Sequence, residues 1–321
     1  VSIFGESHGE SVGITIDGCP AGLSLQANDL LPDLERRKGG TQKGATPRQE
    51  ADFPFFKSGV FNNKTTGFPI TILFENNNTR SEDYNKQRSI PRPGHADWVA
   101  QQKFGGNEDY RGGGHFSARL TTGLVAAGAI AKMLMPGVSF AATVTEIGGE
   151  KDTEKGLQKA IDAKDSVGGI VECRVTGLPA GLGEPYFDSI ESVLSHILFA
   201  IPAVRGVEFG TGFKAATMFG SEHNDAIENM SGKTRTNHAG GVVGGISNGN
   251  ELVFRLAVKP TSSTPRIQNS LNWDTGATED FSIKGRHDLC VALRAPVIVE
   301  AVTAIVLADF MLLEQKIKRV L

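Results

Sequence analysis

The stretch RGGGHFSARLTTGLVAAGAIAKMLM, residues 111–135, runs three glycines into a segment with almost no polar face. From Ser117 to Met135 the residues are small and apolar, so the segment predicts a helix close-packed on most sides. Such a helix needs neighbours, and the sequence around it supplies them. Val12–Ile16 and Pro69–Glu75 read as strands, and 138–176 reads as strand, short helix, strand. Asp188–Ala200 places Ile190, Val193, Leu194, Ile197 and Leu198 at helical spacing, and Val204–Phe209 is a strand. In Glu251–Lys259, Leu252, Phe254, Leu256 and Val258 share one face of a strand. A long helix follows from about Pro296. Asn28 or Asp29 is a candidate cap for a helix ending at Arg37, and His95–Phe104 reads as another helix. Strands and helices mix without regular βαβ alternation. The expected class is therefore α+β, with a single domain over residues 1–321.

The 321 residues suffice for a proper core. Hydrophobic residues at 39% and charged residues at 21% exclude a disordered chain. The net charge of −3 argues against a general nucleic-acid or membrane-surface protein. The apolar stretch at 289–313 is broken by Arg294, Glu300 and Asp309, so it reads as a buried helix and not a membrane span. Cys19, Cys173 and Cys290 form no CxxC pair and fit a reducing cytosol. Glycine, at 39 residues, well exceeds the usual share and points to loops that bring backbone close to something.

Those loops carry the chemistry. Gly5-Glu6-Ser7-His8-Gly9 sets a histidine between glycines beside a strand, where it can exchange protons near neutral pH or merely satisfy loop backbone. Arg92-Pro93-Gly94-His95-Ala96-Asp97 sets a second histidine at an expected helix start; taken alone it reads slightly better as a surface residue than as a functional one. In Arg111–Arg119 the glycines free backbone N–H groups for an anion, and Arg119 on the first turn suits phosphate or carboxylate. Arg36, Arg37, Lys43, Arg48, Arg92 and Arg286 lie in or beside similar loops. A near-neutral protein with arginines in glycine loops suits a small polyanion better than nucleic acid. Gly210–Ala215 fits GxGxxA in spacing, but no βαβ unit surrounds it, so a glycine turn is the expectation. Three further readings stay open on residue types. They are a flavin oxidoreductase, an anion- or nucleic-acid-binding module, and a metal hydrolase using His8, His95 and Asp288. The last lacks local ligand spacing, so no metal is expected.

Taken in order, these motifs resemble the chorismate synthase family. Gly5–Gly9 with Asp17–Pro20, Ser117–Arg119, and Gly285–Asp288 through Ala301 resemble its three signatures. RRKGG, RPGHAD, PAGLGEP (Pro179–Pro185), NHAGG, GGISNG and KPTSS also match, and the resemblance spans essentially the whole chain. It implies a homotetramer of β-α-β sandwich fold with helices between sheets, located in the cytoplasm. It implies conversion of 5-enolpyruvylshikimate 3-phosphate to chorismate and phosphate by anti 1,4-elimination, the last step of the shikimate pathway. Reduced FMN is needed, with no net redox change. By the same resemblance, His8 is the acid toward the leaving phosphate, His95 lies by flavin N1, and Asp288 works near flavin N5 on the proton from C6. Ser7, His8, Arg37, Arg48, Arg92, Ser117, Arg119 and Arg286 would hold substrate. His115, Phe116, Ser117, Pro202, Ala203, Gly244, Lys259, Pro260, Thr261, Ser262, Ser263 and Arg286 would hold FMN. Arg37 and Lys43 fall where NADPH contacts are placed, although no inserted reductase segment is present and an external flavin reductase is expected. His115-Phe116-Ser117 stands where the family commonly has Arg-Ser-Ser, Pro202 where it has Asn, and Lys43 where it has Arg.

Overall fold

The computed structural model describes residues 1–39, 43–46, 50–78, 88–283 and 287–321. The first sheet contains β1 (Ser2–Gly5), β2 (Ser11–Ile16) and β3 (Phe55–Ser58). The hairpin β4 (Val60–Phe61) and β5 (Lys64–Thr65) leads to β6 (Ile70–Glu75), and the order is β1-β2-β6-β3. The second sheet contains β7 (Ser139–Ile147), β8 (Gly169–Thr176) and β9 (Val204–Phe209). After the small hairpin β10 (Val242–Val243) and β11 (Ile246–Ser247), β12 (Leu252–Val258) completes it in the order β7-β8-β12-β9. A hairpin of β13 (Gln268–Leu271) and β14 (Thr278–Phe281) stands apart. All these strand pairs are antiparallel. The GxGxxA segment therefore opens no βαβ unit; it forms a 3-10 turn at Gly212–Thr217 after β9.

The helices are α1 (Ala27–Arg37), α2 (Asp97–Phe104), α3 (Thr121–Met133), α4 (Thr153–Ala163), α5 (Ile190–Leu198), α6 (Gly220–His223) and α7 (Ala295–Leu313). Helix α3 packs on β2 and β6, α7 packs on β7 and β8, and the two helices pack on each other. The result is the β-α-β sandwich implied by the motifs. Alternation places Ile70, Ile72 and Phe74 of β6, and Leu252, Phe254, Leu256 and Val258 of β12, in one apolar core. Eleven of thirteen residues of α3 and 14 of 19 in α7 are buried. The apolar C-terminal helix is thus a core element between sheets, long enough by composition alone to cross a membrane but covered by protein. A side chain at Gly128 would come within 2.3 Å of Ala301, so α3 and α7 touch backbone to backbone.

A buried carboxylate lies in this layer. Glu300 of α7 is 2% exposed. Arg36 of α1 grips it with two 2.7 Å bonds, Lys132 of α3 donates at 2.9 Å, and the Ala142 backbone of β7 donates at 3.1 Å. Burial alone would raise its pKa, but these partners hold it below the usual range.

The starts of α1 and α3 are among those that differ from expectation. The cap of α1 is Gln26, while Asp29 turns its carboxylate back to the Gln26 N–H at 2.7 Å. The helix expected from Ser117 opens as a 3-10 turn over Ala118–Leu120 before α3 begins: the Ser117 hydroxyl caps the Arg119 N–H at 3.2 Å, and the Leu120 N–H bonds back three residues to the Ser117 carbonyl at 3.2 Å.

Candidate active site

The site forms around the glycine turn at Arg111–Phe116. Gly112 and Gly113 have φ of +61° and +83°, open to glycine at no steric cost. A Cβ on Gly112 would sit 2.4 Å from His8 Cδ2, and one on Gly113 would sit 3.3 Å from His95 Nε2. The run is glycine because two imidazoles lie against its backbone. His8 comes from the turn after β1, pinned where the Ser7 N–H donates to the Gly114 carbonyl at 3.1 Å. His95 comes from the turn that precedes α2, not from the helix itself.

A narrow chamber of about 170 Å³ opens beside His8. Its described lining includes five basic side chains (Arg37, Lys38, Arg92, Arg119, Arg294) against three carboxylates (Glu50, Asp52, Asp288), so it suits a polyanion. Asp52 is the counter-ion at its floor. Its carboxylate pairs with Arg37 at 2.9 Å and also with Arg119. Burial opposes its ionisation, but the two guanidinium groups outweigh burial and hold its pKa low. Arg37 is pushed down to about 10, chiefly by burial. Arg119 is further fixed by Asn76 Oδ1 at 2.9 Å and the Glu75 carbonyl at 3.1 Å. It therefore points back into the fold rather than standing free on a helix turn. Asp288 accepts the Thr46 N–H at 2.8 Å and pairs with Arg294 at 3.1 Å, while Arg294 Nε donates to the Arg37 carbonyl at 3.0 Å.

A wider chamber of about 510 Å³ adjoins the first, sharing Arg92, Gly112, Ser117, Ala118, Thr261 and Asp288 with it. Ile3, Leu124, Pro202, Ala203 and Val291 give it an apolar wall. Lys259, Thr261, Ser262 and Ser263 give a polar rim, and His95, His115 and Phe116 also line it. Lys259 Nζ donates to Ser262 Oγ at 2.8 Å, and its pKa is lowered by burial and by Arg205. Among the described residues, Thr261 Oγ1 is buried with no hydrogen-bond partner, which marks a place for a polar ligand atom. A flat ring against the apolar wall and an anionic tail at the rim both fit these residues.

His8, His95 and Asp288, far apart in sequence, thus line two joined chambers, with Asp288 on the shared wall. Ser7, Arg37, Arg92, Ser117 and Arg119 are brought there too. Lys43 is not; it reaches away to Gln158 on α4 at 2.8 Å. Gly244 sits apart in the β10–β11 turn, and Pro260 is in neither lining although both its neighbours are. Arg48 and Arg286 lie outside the described residues. Sequence reasoning missed Asp52, Asp97 and Arg294. The signal available was charge balance: so many arginines in one site need buried carboxylates.

The chain matches the family model for chorismate synthase over residues 1–312. A chorismate synthase of Chitinophaga pinensis is 68% identical over 321 residues, covering all of this chain and 96% of its own length. One from Dehalococcoides mccartyi is 44% identical over 352 residues, covering 100% and 97%. A crystal structure of chorismate synthase superposes with a TM-score of 0.72 at 26% identity, covering 98% of this chain and 91% of that one. Fold, core and whole-length similarity agree, and the chain belongs to the chorismate synthase family of lyases.

Proposed function

We propose that this protein converts 5-enolpyruvylshikimate 3-phosphate to chorismate and phosphate by anti 1,4-elimination, the last step of the shikimate pathway. Two joined chambers carry this reading, one cationic and one part apolar, with His8, His95 and Asp288 distributed around them. The substrate bears a phosphate and two carboxylates, and the narrow chamber offers Ser7, Arg37, Arg92, Ser117 and Arg119 for them, with Arg48 and Arg286 added by the motif match. His8 donates a proton from its imidazole to the leaving phosphate. Asp288, held by Thr46 and Arg294, accepts the proton lost from C6. The apolar wall of the wide chamber excludes water around the reacting carbons.

Reduced FMN, when bound, would lend electron density as phosphate departs and recover it afterwards. His115, Phe116, Ser117, Pro202, Ala203, Lys259, Thr261, Ser262 and Ser263 would hold it, with Pro260 shaping the rim and His95 beside the ring. Gly244 and Arg286 join this set by the motif match. Lys43 turns away from both chambers. That favours flavin reduced by an external reductase over NADPH oxidation in this site, where Arg37 would be the remaining contact. Exposed Phe187, Phe213, Phe219, Ile227 and Met230 favour self-association, which we propose is a homotetramer of single-domain subunits spanning 1–321. Three free cysteines favour the cytoplasm.

The test is anaerobic incubation with substrate and chemically reduced FMN, following phosphate release and diene absorbance together. Turnover with reduced but not oxidised FMN is expected. Asp288→Asn and His8→Ala should lose it while staying folded. Absence of flavin binding in the wild-type protein would overturn the reading.

A further inference from the structure

The contact between His95 and Asp97 has no part in the mechanism above. Asp97 Oδ1 lies 2.5 Å from His95 Nδ1. The carboxylate is itself locked: Arg92 Nε reaches Oδ2 at 2.7 Å, Arg92 Nη2 reaches Oδ1 at 2.7 Å, and the Arg92 backbone N–H reaches Oδ2 at 3.0 Å. The remaining Arg92 nitrogen, Nη1, is 3.3 Å from Ser263 Oγ on the rim of the wide chamber. Burial would raise the Asp97 pKa, but the hydrogen bonds from Arg92 and His95 hold it far below the usual range. Arg92 Nη2 also lies 3.0 Å from His95 Nδ1, but Asp97 Oδ1 is its nearer acceptor at 2.7 Å. An ionised carboxylate can only accept, so at 2.5 Å from Oδ1 the Nδ1 of His95 is the donor. The ring's other edge, with Nε2, faces Gly113.

We infer that Asp97 is a positioning residue for His95. It fixes the ring orientation and keeps the proton on Nδ1, so that Nε2, on the edge beside Gly113, is left as the proton-accepting atom. The inference rests on the functional reading above for the role of His95, but not for the geometry. An ordinary helix-capping role does not account for it, because the carboxylate turns back to Arg92 and the α2 cap at Ala96 carries no side-chain bond.

Asparagine distinguishes the two roles. Two Arg92 donors converge on Oδ2, so the single oxygen of an asparagine would turn there and its NH₂ would face Nδ1. The expected result in the apo protein, read by imidazole ¹⁵N NMR with His95→Gln for assignment, is a proton on Nδ1 in the wild type. In Asp97→Asn the neutral ring should move its proton to Nε2. Turnover with chemically reduced FMN should fall at least roughly tenfold in kcat, with substrate KM little changed. In a His95→Gln background the same change should cost nothing further. A wild-type neutral ring protonated only at Nε2, an unchanged tautomer in Asp97→Asn, or losses that simply add would each overturn the inference. If Asp97→Asn does not fold, the wild-type tautomer decides alone. A wild-type protein with no turnover would sink the functional reading, while the tautomer comparison would still decide this one.

Discussion

Asp52 and Arg37 form an ion pair at 2.9 Å with side chains only 1% and 4% exposed, and the same carboxylate also holds Arg119. Asp52 does this from a left-handed backbone conformation, φ +51°, which aspartate tolerates better than most residues. Removing it would leave two guanidinium groups buried without their partner. Asp52→Ala should therefore lower stability by about 3–5 kcal/mol in urea unfolding. A loss below about 1 kcal/mol would show that the arginines find other acceptors.

Acid should weaken the fold through a small set of carboxylates. Asp52, Asp97 and Glu300 all have pKa values below their ordinary ones. Each stabilises the fold fully above the ordinary carboxylate range and stops doing so as pH falls through its lowered value. Unfolding free energy should therefore hold steady down to that range and fall below it. Glu300→Gln should start lower and decline less steeply. An unchanged slope would remove Glu300 from the set.

Gly112→Ala would set a methyl group 2.4 Å from His8 at a φ of +61°. The backbone strain costs about 1–2 kcal/mol, which a chain of this size tolerates. His8 must move, so turnover should fall at least roughly tenfold while flavin fluorescence still reports binding. Retained turnover would show that His8 has freedom that the structure does not give it.

Arg294→Lys tests how Asp288 is held. One guanidinium reaches both the Asp288 carboxylate and the Arg37 carbonyl, which a single ammonium cannot do in the same geometry. The expected result is lower kcat, by about tenfold, with substrate affinity nearly kept. Loss of affinity alone would place Arg294 on the substrate instead.

Gly128→Ala should destabilise by about 1–3 kcal/mol through overpacking, because Ala301 already fills the space. A midpoint unchanged in urea would mean that α3 and α7 can separate without cost.

Patterning made most of this architecture readable. The clean alternation of Leu252, Phe254, Leu256 and Val258 and the featureless apolar run after Thr121 each admit one placement, strand face and middle layer. The sandwich itself came through family motifs, since periodicity does not say which sheet a helix meets. In the site, His8, His95 and Asp288 stand out because their loops are glycine-rich and polar. Asp52 and Arg294 do not, for their meaning lies in partners at 37, 119 and 288 that only folding brings near. The start of α3 is displaced from the expected one because a first turn wound i to i−3 leaves no periodic trace.

The contact of Gly128 with Ala301 has a bearing on heat. Ser117–Arg119 leads directly into α3, and Asp288–Arg294 leads into α7. Arg119 and Asp288 therefore sit on extensions of two helices clamped at mid-length in the core. The spacing between Arg119 and Asp288 is set there, so warming cannot loosen it until the middle layer itself melts. Thermal inactivation of this enzyme should coincide with its calorimetric transition rather than precede it.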